Sequence, residues 1–550
     1  MDEQPFQAYF ELIDALLNCN DGVEPEILSA REDIIDNRFV QTMEQVAASL
    51  AEEGDKHKAY WLRNLAAKIA EVIENSSAVA PDEEYLDFLI EVLQAMSESE
   101  ADLEVIYPIL EANLDKLDEN FAVVLQNWAA ETLSEAEGEE AYIIAADIGD
   151  LSFIIQQYPF GERASNIEIA IAGYEVVNAV ITPEVSLQEW GLTQNNLGFA
   201  YYNRIEGNRA ENLEQAIRCY QLALQVPLDE AIPEQWGLTQ NNLGIAYLDR
   251  IEGYSTQNRE AAIAAFQAAL QVRTREEFPQ QWAETQNNLG LAYLNRVQGD
   301  NAENIEQAIS YYKAALEVYP RVANPQTWAT IQNNLGVAYC NRMRGERSEN
   351  LEVAIKAFQS ALLVYTPDAY PLNWGRLQDD LGNAYGDRIR GDWIENQEAA
   401  IAAFQSALQV YTRDNFPEDW ARTQNNLATI YSDRDRGNKA ENLELAIEAC
   451  ENALQVYTRE DFPEDWAMAQ TNLGAAYRQR IQGDLAENLE TAIRCYKAAL
   501  EEHTRERFPD DWAGLHNNLG NAYRERILGK RAENLAQSLR CFHAALGIHS

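Results

Sequence analysis

Nowhere in these 550 residues do about 18 apolar residues follow one another, so no helix able to cross a membrane is expected. The opening Met1-Asp2-Glu3 lacks the basic flank and apolar run of a secretory signal. Histidine is scarce, and His57, His503, His516, His543 and His549 are scattered without partners at metal-binding or triad spacing. The six cysteines show neither ligand nor disulfide spacing. Cys219, Cys495 and Cys541 share one site in a helix and Cys450 stands where an aromatic is expected, so they read as small core residues in a reducing, cytoplasmic setting. Gly529-Lys530-Arg531 lacks the upstream glycine and the Ser/Thr of a phosphate cradle. Basic residues are few, 42 against 90 acidic, and the net charge of −48 excludes direct nucleic-acid binding, which needs a basic surface. The sequence therefore predicts no cofactor, no metal site and no enzyme.

Tryptophan, in contrast, falls every 46 residues: Trp190, Trp236, Trp282, Trp328, Trp374, Trp420, Trp466 and Trp512. Arginine keeps the same phase from Arg204 to Arg526, glycine from Gly207 to Gly529 and asparagine from Asn212 to Asn534. A fixed period of this length, without insertions, marks a solenoid whose units bury their apolar faces against each other.

In the unit of Trp236, Pro233 suits a first helical turn, where its missing N–H costs nothing. Trp236, Leu243 and Tyr247 then share one face at helical spacing. Gly253 ends this helix, and Asn258 is expected to N-cap a second. The clearer copy of that second helix runs Leu213, Ala216, Ile217, Tyr220, Ala223 and Leu224. Each unit is thus an antiparallel helical hairpin with its tryptophan in the core. The periodic arginines lie on the packing face near a helix C-terminus and are expected to reach a carboxylate or carbonyl.

Asn242-Leu243-Gly244 with Ala246-Tyr247, and Ala216 with Tyr220 and Ala223, resemble the tetratricopeptide repeat, here lengthened to 46 residues. Such units are similar to kinesin light chain repeats and to bacterial arrays that precede CHAT caspase-like domains. The resemblance implies an all-α, right-handed superhelical solenoid of helical hairpins, eight repeats over 184–550, with a degenerate first repeat at 138–183 in which Ile144 replaces tryptophan. Residues 1–137 read as an acidic, all-helical N-terminal cap, with apolar helical spacing in Phe6–Leu17, Phe39–Leu50, Tyr85–Met96 and Phe121–Leu133; residues 1–180 carry 39 acidic and 8 basic residues.

The opposite face of the first helix becomes the concave wall in the repeats this chain resembles. Asn195, Asn241, Asn287, Asn333, Asp379, Asn425, Thr471 and Asn517 line it, and side-chain amides there are expected to clamp the backbone of an extended peptide. Beside them the wall runs from apolar (Leu192, Phe199, Tyr202, Leu238, Ile245, Leu248, Leu291, Leu294) to basic (Arg376, Arg422, Arg478, Arg524), predicting a ligand apolar at one end and acidic at the other. The expected function is non-enzymatic recognition of a protein or peptide. The alternatives are the regulatory part of a CHAT-type protease system and a self-assembling structural array. Cys541 to Leu546 forms an ordinary second helix with no polar cap after it, so the chain either was cut there or docks its end, a route to self-association.

Overall fold

A computed structural model describes residues 83–136, 138–227 and 232–547; before residue 83 it describes the helix Asn37–Glu52, residues 28, 31, 34 and 35, and parts of 9–17 and 58–69. The described residues are helical or in turns, with no strand among them. The chain divides into two compact units, 1–223 and 224–550.

The first unit contains the helices Asn37–Glu52, Glu83–Ser99, Leu103–Ala112 and Glu119–Glu135, followed by two hairpins, Glu139–Gln157 with Arg163–Val180 and Leu187–Asn203 with Arg209–Ala223. Three of the expected helical stretches fall inside these helices; of Phe6–Leu17 the residues 6–8, 11 and 14 lie outside the described residues, and the others are helical. Phe88 and Phe121 stack at 5.0 Å in a core shared with Leu125, Ile148 and Leu151. Ile144, at the degenerate tryptophan position, packs partly buried against this core.

The second unit repeats one hairpin seven times, from Pro233–Asp249 with Ser255–Ala269 to Pro509–Glu525 with Arg531–Leu546. Each second helix packs on its own first helix and, where another unit follows, on the first helix of that unit. The first helices of consecutive units also touch, more closely than the second helices do, so the first-helix wall is the tighter side.

One contact repeats in both units and sets the distance between the helices of a hairpin. Gly198, Gly244, Gly290, Gly336, Gly382, Gly474 and Gly520 each lie under an aromatic ring 22 residues later, from Tyr220 to Phe542. A Cβ at these glycines would come within 2.5–2.8 Å of the ring. Two hairpins depart: the first has Ser152 at the notch position and keeps an aromatic, Tyr174, 22 residues later, whereas another changes both positions together, with Ala428 in the notch and Cys450 in place of the ring, both fully buried.

The turn between the helices uses residues the sequence assigned differently. Gly253, at φ +80°, adopts the left-handed conformation that glycine tolerates. Asn258 is not the N-cap: its helix starts at Ser255 after Tyr254, because the chain re-enters helical geometry directly beyond the glycine. Where a side chain caps the second helix it stands four residues earlier, as Asp300 does by accepting a hydrogen bond from the Glu303 amide at 2.8 Å. The buried asparagine instead ties the turn: Asn304 Nδ2 donates to the Gln298 carbonyl at 2.8 Å, and its Oδ1 accepts from Arg296 Nη1 at 3.5 Å.

Arg296 meanwhile forms a two-pronged pair with Glu260, both contacts 2.7 Å, and lies 5.3 Å over the Tyr293 ring. The same 36-residue pairing joins Arg204 to Glu168, Arg342 to Glu306, Arg388 to Glu352, Arg434 to Glu398, Arg480 to Glu444 and Arg526 to Glu490. Each pair binds a first-helix C-terminus to the second helix of the preceding unit. The tryptophans from Trp236 to Trp512 are less deeply placed than expected, half-buried, and four of them are covered by arginines such as Arg321 over Trp328 at 5.8 Å. Trp190 alone of the eight is buried.

If the notch sets the ring, Cys450→Phe should destabilise the chain by about 1–3 kcal/mol, since the ring would meet the Ala428 methyl. Adding Ala428→Gly should recover most of that loss in denaturant unfolding. Simply additive effects would show that the ring does not enter this notch.

Candidate functional site

The first-helix wall of the second unit carries most of the expected site residues, and the structure divides them by depth. Asn241 is fully buried, and Asn333, Asp379 and Asn425 are nearly so. In the first unit Asn195 is buried as well. Asn287 is half-buried and Asn517 exposed. The amides turn into the seam between consecutive first helices. Asn241 Oδ1 accepts from Thr285 Oγ1 and from Asn288 Nδ2, both at 3.1 Å. Asn287 Oδ1 accepts from Asn334 Nδ2 at 3.1 Å, and Asn425 Oδ1 from Asn472 Nδ2 at 3.0 Å. In these three seams the first asparagine of one repeat is thus bonded to the second asparagine of the next, 47 residues on.

Solvent meets the wall at flanking positions. Leu238 is 36% exposed and Leu291 40%, with Ile245, Leu248 and Leu294 half-buried beside them. Leu192 is exposed in the first unit, where Phe199 and Tyr202 are half-buried. The basic end is less free than the sequence suggests. Arg422 pairs with Asp419 at 2.7 Å and with Asp379 at 3.3 Å, while Arg478 and Arg524 both reach Glu525, at 3.3 and 3.5 Å. Among the described residues no carboxylate forms an ion pair with Arg376.

One unit breaks the seam pattern. Where seven others have asparagine at the second position of the pair, from Asn196 to Asn518, this one has Asp380, next to Asp379. Asp379 keeps two donors, Thr423 Oγ1 at 2.8 Å and Arg422 Nε at 3.3 Å. Burial still pushes its carboxyl above the ordinary range, against the pull of Arg422 and Thr423. Asp380 is raised to about 6, by burial first and the neighbouring Asp379 charge second, with Arg376 and Arg422 opposing. Its Oδ2 is buried without a hydrogen-bond partner, as is Asn333 Oδ1 on the preceding unit. Both aspartates line an open cleft of about 570 Å³ with Arg376, Asp419 and Arg422. Asp379 stands in the expected row and Asp380 beside it does not, although only this repeat carries acid at both positions.

Because folding raises the Asp380 pKa, the folded chain holds that proton more tightly than the unfolded one between roughly pH 4 and 6. Stability should fall as pH rises through this window, with the cost fully present above it. Asp380→Asn should therefore stabilise the chain at pH 7.5 by roughly 1–3 kcal/mol, and the advantage should shrink towards pH 4.5. Denaturant unfolding at the two pH values measures this; an advantage independent of pH would place the carboxylate elsewhere.

Segments 190–226, 420–464 and 466–509 match the family model of the tetratricopeptide repeat. No curated protein matches the chain. Among solved structures, the C-terminal part of a TPR repeat-containing protein from Cytophaga hutchinsonii is 14% identical, with a TM-score of 0.33, over 57% of this chain and 95% of that one. The APC/C hetero-tetramer Cut9–Hcn1 is 12% identical, with a TM-score of 0.35, over 92% of this chain and 93% of that one.

Proposed function

We propose, from the tetratricopeptide repeats that this chain carries, that it is a non-enzymatic scaffold and that the first-helix wall of residues 224–550 holds a peptide segment of a protein partner. Repeats of this kind generally serve protein–protein recognition. The observation that carries the reading is the exposure of Leu238 and Leu291 on a wall whose neighbouring helices are joined by side-chain hydrogen bonds. Apolar side chains in solvent on a rigid surface gain most when a ligand covers them. The buried asparagines fix the spacing of the wall, and contact with the ligand falls on their exposed neighbours and on the exposed Asn517. The regular 46-residue step then presents one set of side chains per unit to an extended chain.

A library of acetylated, amidated random decapeptides passed over the immobilised full chain tests this. Peptides should be retained by the native protein, and Leu238→Glu with Leu291→Glu should lower retention about tenfold, since covering the exposed third or so of each leucine contributes roughly a third of the 1.5–3 kcal/mol of a fully buried one. Unchanged circular dichroism would show that the fold survives. Equal retention by the double variant would move binding away from this wall.

A further inference from the structure

The turn inside each hairpin of residues 224–550 holds one side chain outward. The arginine that opens the turn folds back onto a glutamate, as Arg296 does on Glu260, and the left-handed glycine three residues later reverses the chain. The residue after the arginine is left in solvent: Ile251, Val297, Met343 and Ile389 are 62–70% exposed, and Ile481 and Ile527 repeat them. Asp435 breaks the row. Its turn keeps the same form, with Gly437 at φ +86°, so the fold accepts a charge at this position and does not itself require an apolar residue there. Tyr254 and Trp393, 73% and 50% exposed, stand three and four residues further along two of these turns.

Apolar residues scattered singly over a surface need no explanation, but these are neighbours. Consecutive hairpins pack helix on helix, and packed helices lie about 8–10 Å apart, so four successive turns form one ridge from Ile251 to Trp393. Its six exposed side chains offer roughly 500 Å² of apolar surface, and two copies covering each other would bury about the 1,000 Å² at which a specific interface begins. An occupant has to match the 46-residue step, and a second copy of this chain matches it at every turn at once. The residues that follow the apolar ones fix its direction: Glu252 and Gln298 on the first two turns, Arg344 and Arg390 on the next two, all exposed. In an antiparallel pair Glu252 of one copy meets Arg390 of the other, and Gln298 meets Arg344; in a parallel pair each arginine would meet itself. Arg344 and Arg390 each hold one carboxylate of their own chain, Glu303 at 2.9 Å and Glu349 at 3.4 Å, with half of the side chain still exposed. The chain's acidic excess lies mostly in residues 1–180 and is screened beyond about 8 Å at physiological ionic strength.

We propose that two copies of this chain pair antiparallel along the turn ridge from Ile251 to Trp393, about a two-fold axis between the turns of Val297 and Met343. Ile251 and Tyr254 of one copy then cover Ile389 and Trp393 of the other, and Val297 covers Met343. The pairing uses the turns and not the first-helix wall, so it stands independently of the peptide reading.

Sedimentation of the full chain over a range of concentrations tests it. The native chain should pass from one copy to two as concentration rises. Val297→Glu with Met343→Glu should weaken the pairing about tenfold and leave circular dichroism unchanged, since both side chains are exposed. Glu252→Arg alone and Arg390→Glu alone should each weaken it about tenfold by setting like charges together. Both changes in one chain, or the two single variants mixed, should restore it, because opposite charges then face each other again. A single copy at every concentration would overturn the proposal. So would a dimer indifferent to Val297→Glu with Met343→Glu, or single charge variants that pair as the native chain does.

Discussion

The regularity of this molecule depends on a glycine facing an aromatic ring. With no Cβ at Gly336, the Phe358 ring lies where a methyl group would otherwise sit 2.5 Å away, and the two helices of the hairpin approach by that much. Between hairpins, one after another, the 36-residue arginine–glutamate pairs form with contacts of 2.6–2.9 Å. In the hairpin with Ala428 and Cys450 the notch is filled and the ring removed together.

Polar side chains decide how neighbouring units are held. The arginine–glutamate pairs are partly exposed, so each adds modest stability and a fixed geometry more than raw strength. The asparagine seam is more deeply placed. An amide can both donate and accept, which lets one residue type bond to its own copy in the next unit and extend the pattern indefinitely. Aspartate cannot continue such a chain. That single chemical difference leaves one seam with two unmet acceptors, Asn333 Oδ1 and Asp380 Oδ2, while the fold around it stays the same.

Much of this was legible in the sequence. The hairpin, its 46-residue period, the glycine at the turn and the structural role of the arginines follow from spacing and residue type, because local geometry dictates them. The N-cap was misplaced because Asn258 has the right chemistry but sits inside the helix, where it bonds back to the Glu252 carbonyl. The tryptophans read as core because they are periodic and apolar, yet their rings lie at the edge of the packing, several with a guanidinium on the outer face.

The sequence by itself determined the unit, its length and which residues share a helix face, since these depend only on the pitch of a helix and the residues that end it. The tertiary structure alone decided how deep each face lies. Asn241 and Leu238 stand three residues apart on the same helix, yet one is fully buried and the other more than a third exposed. Their difference comes from how closely the next first helix approaches, a distance set by packing between units that no single unit encodes. The same packing closes Asp380 Oδ2 off from solvent, although the residue lines a cleft.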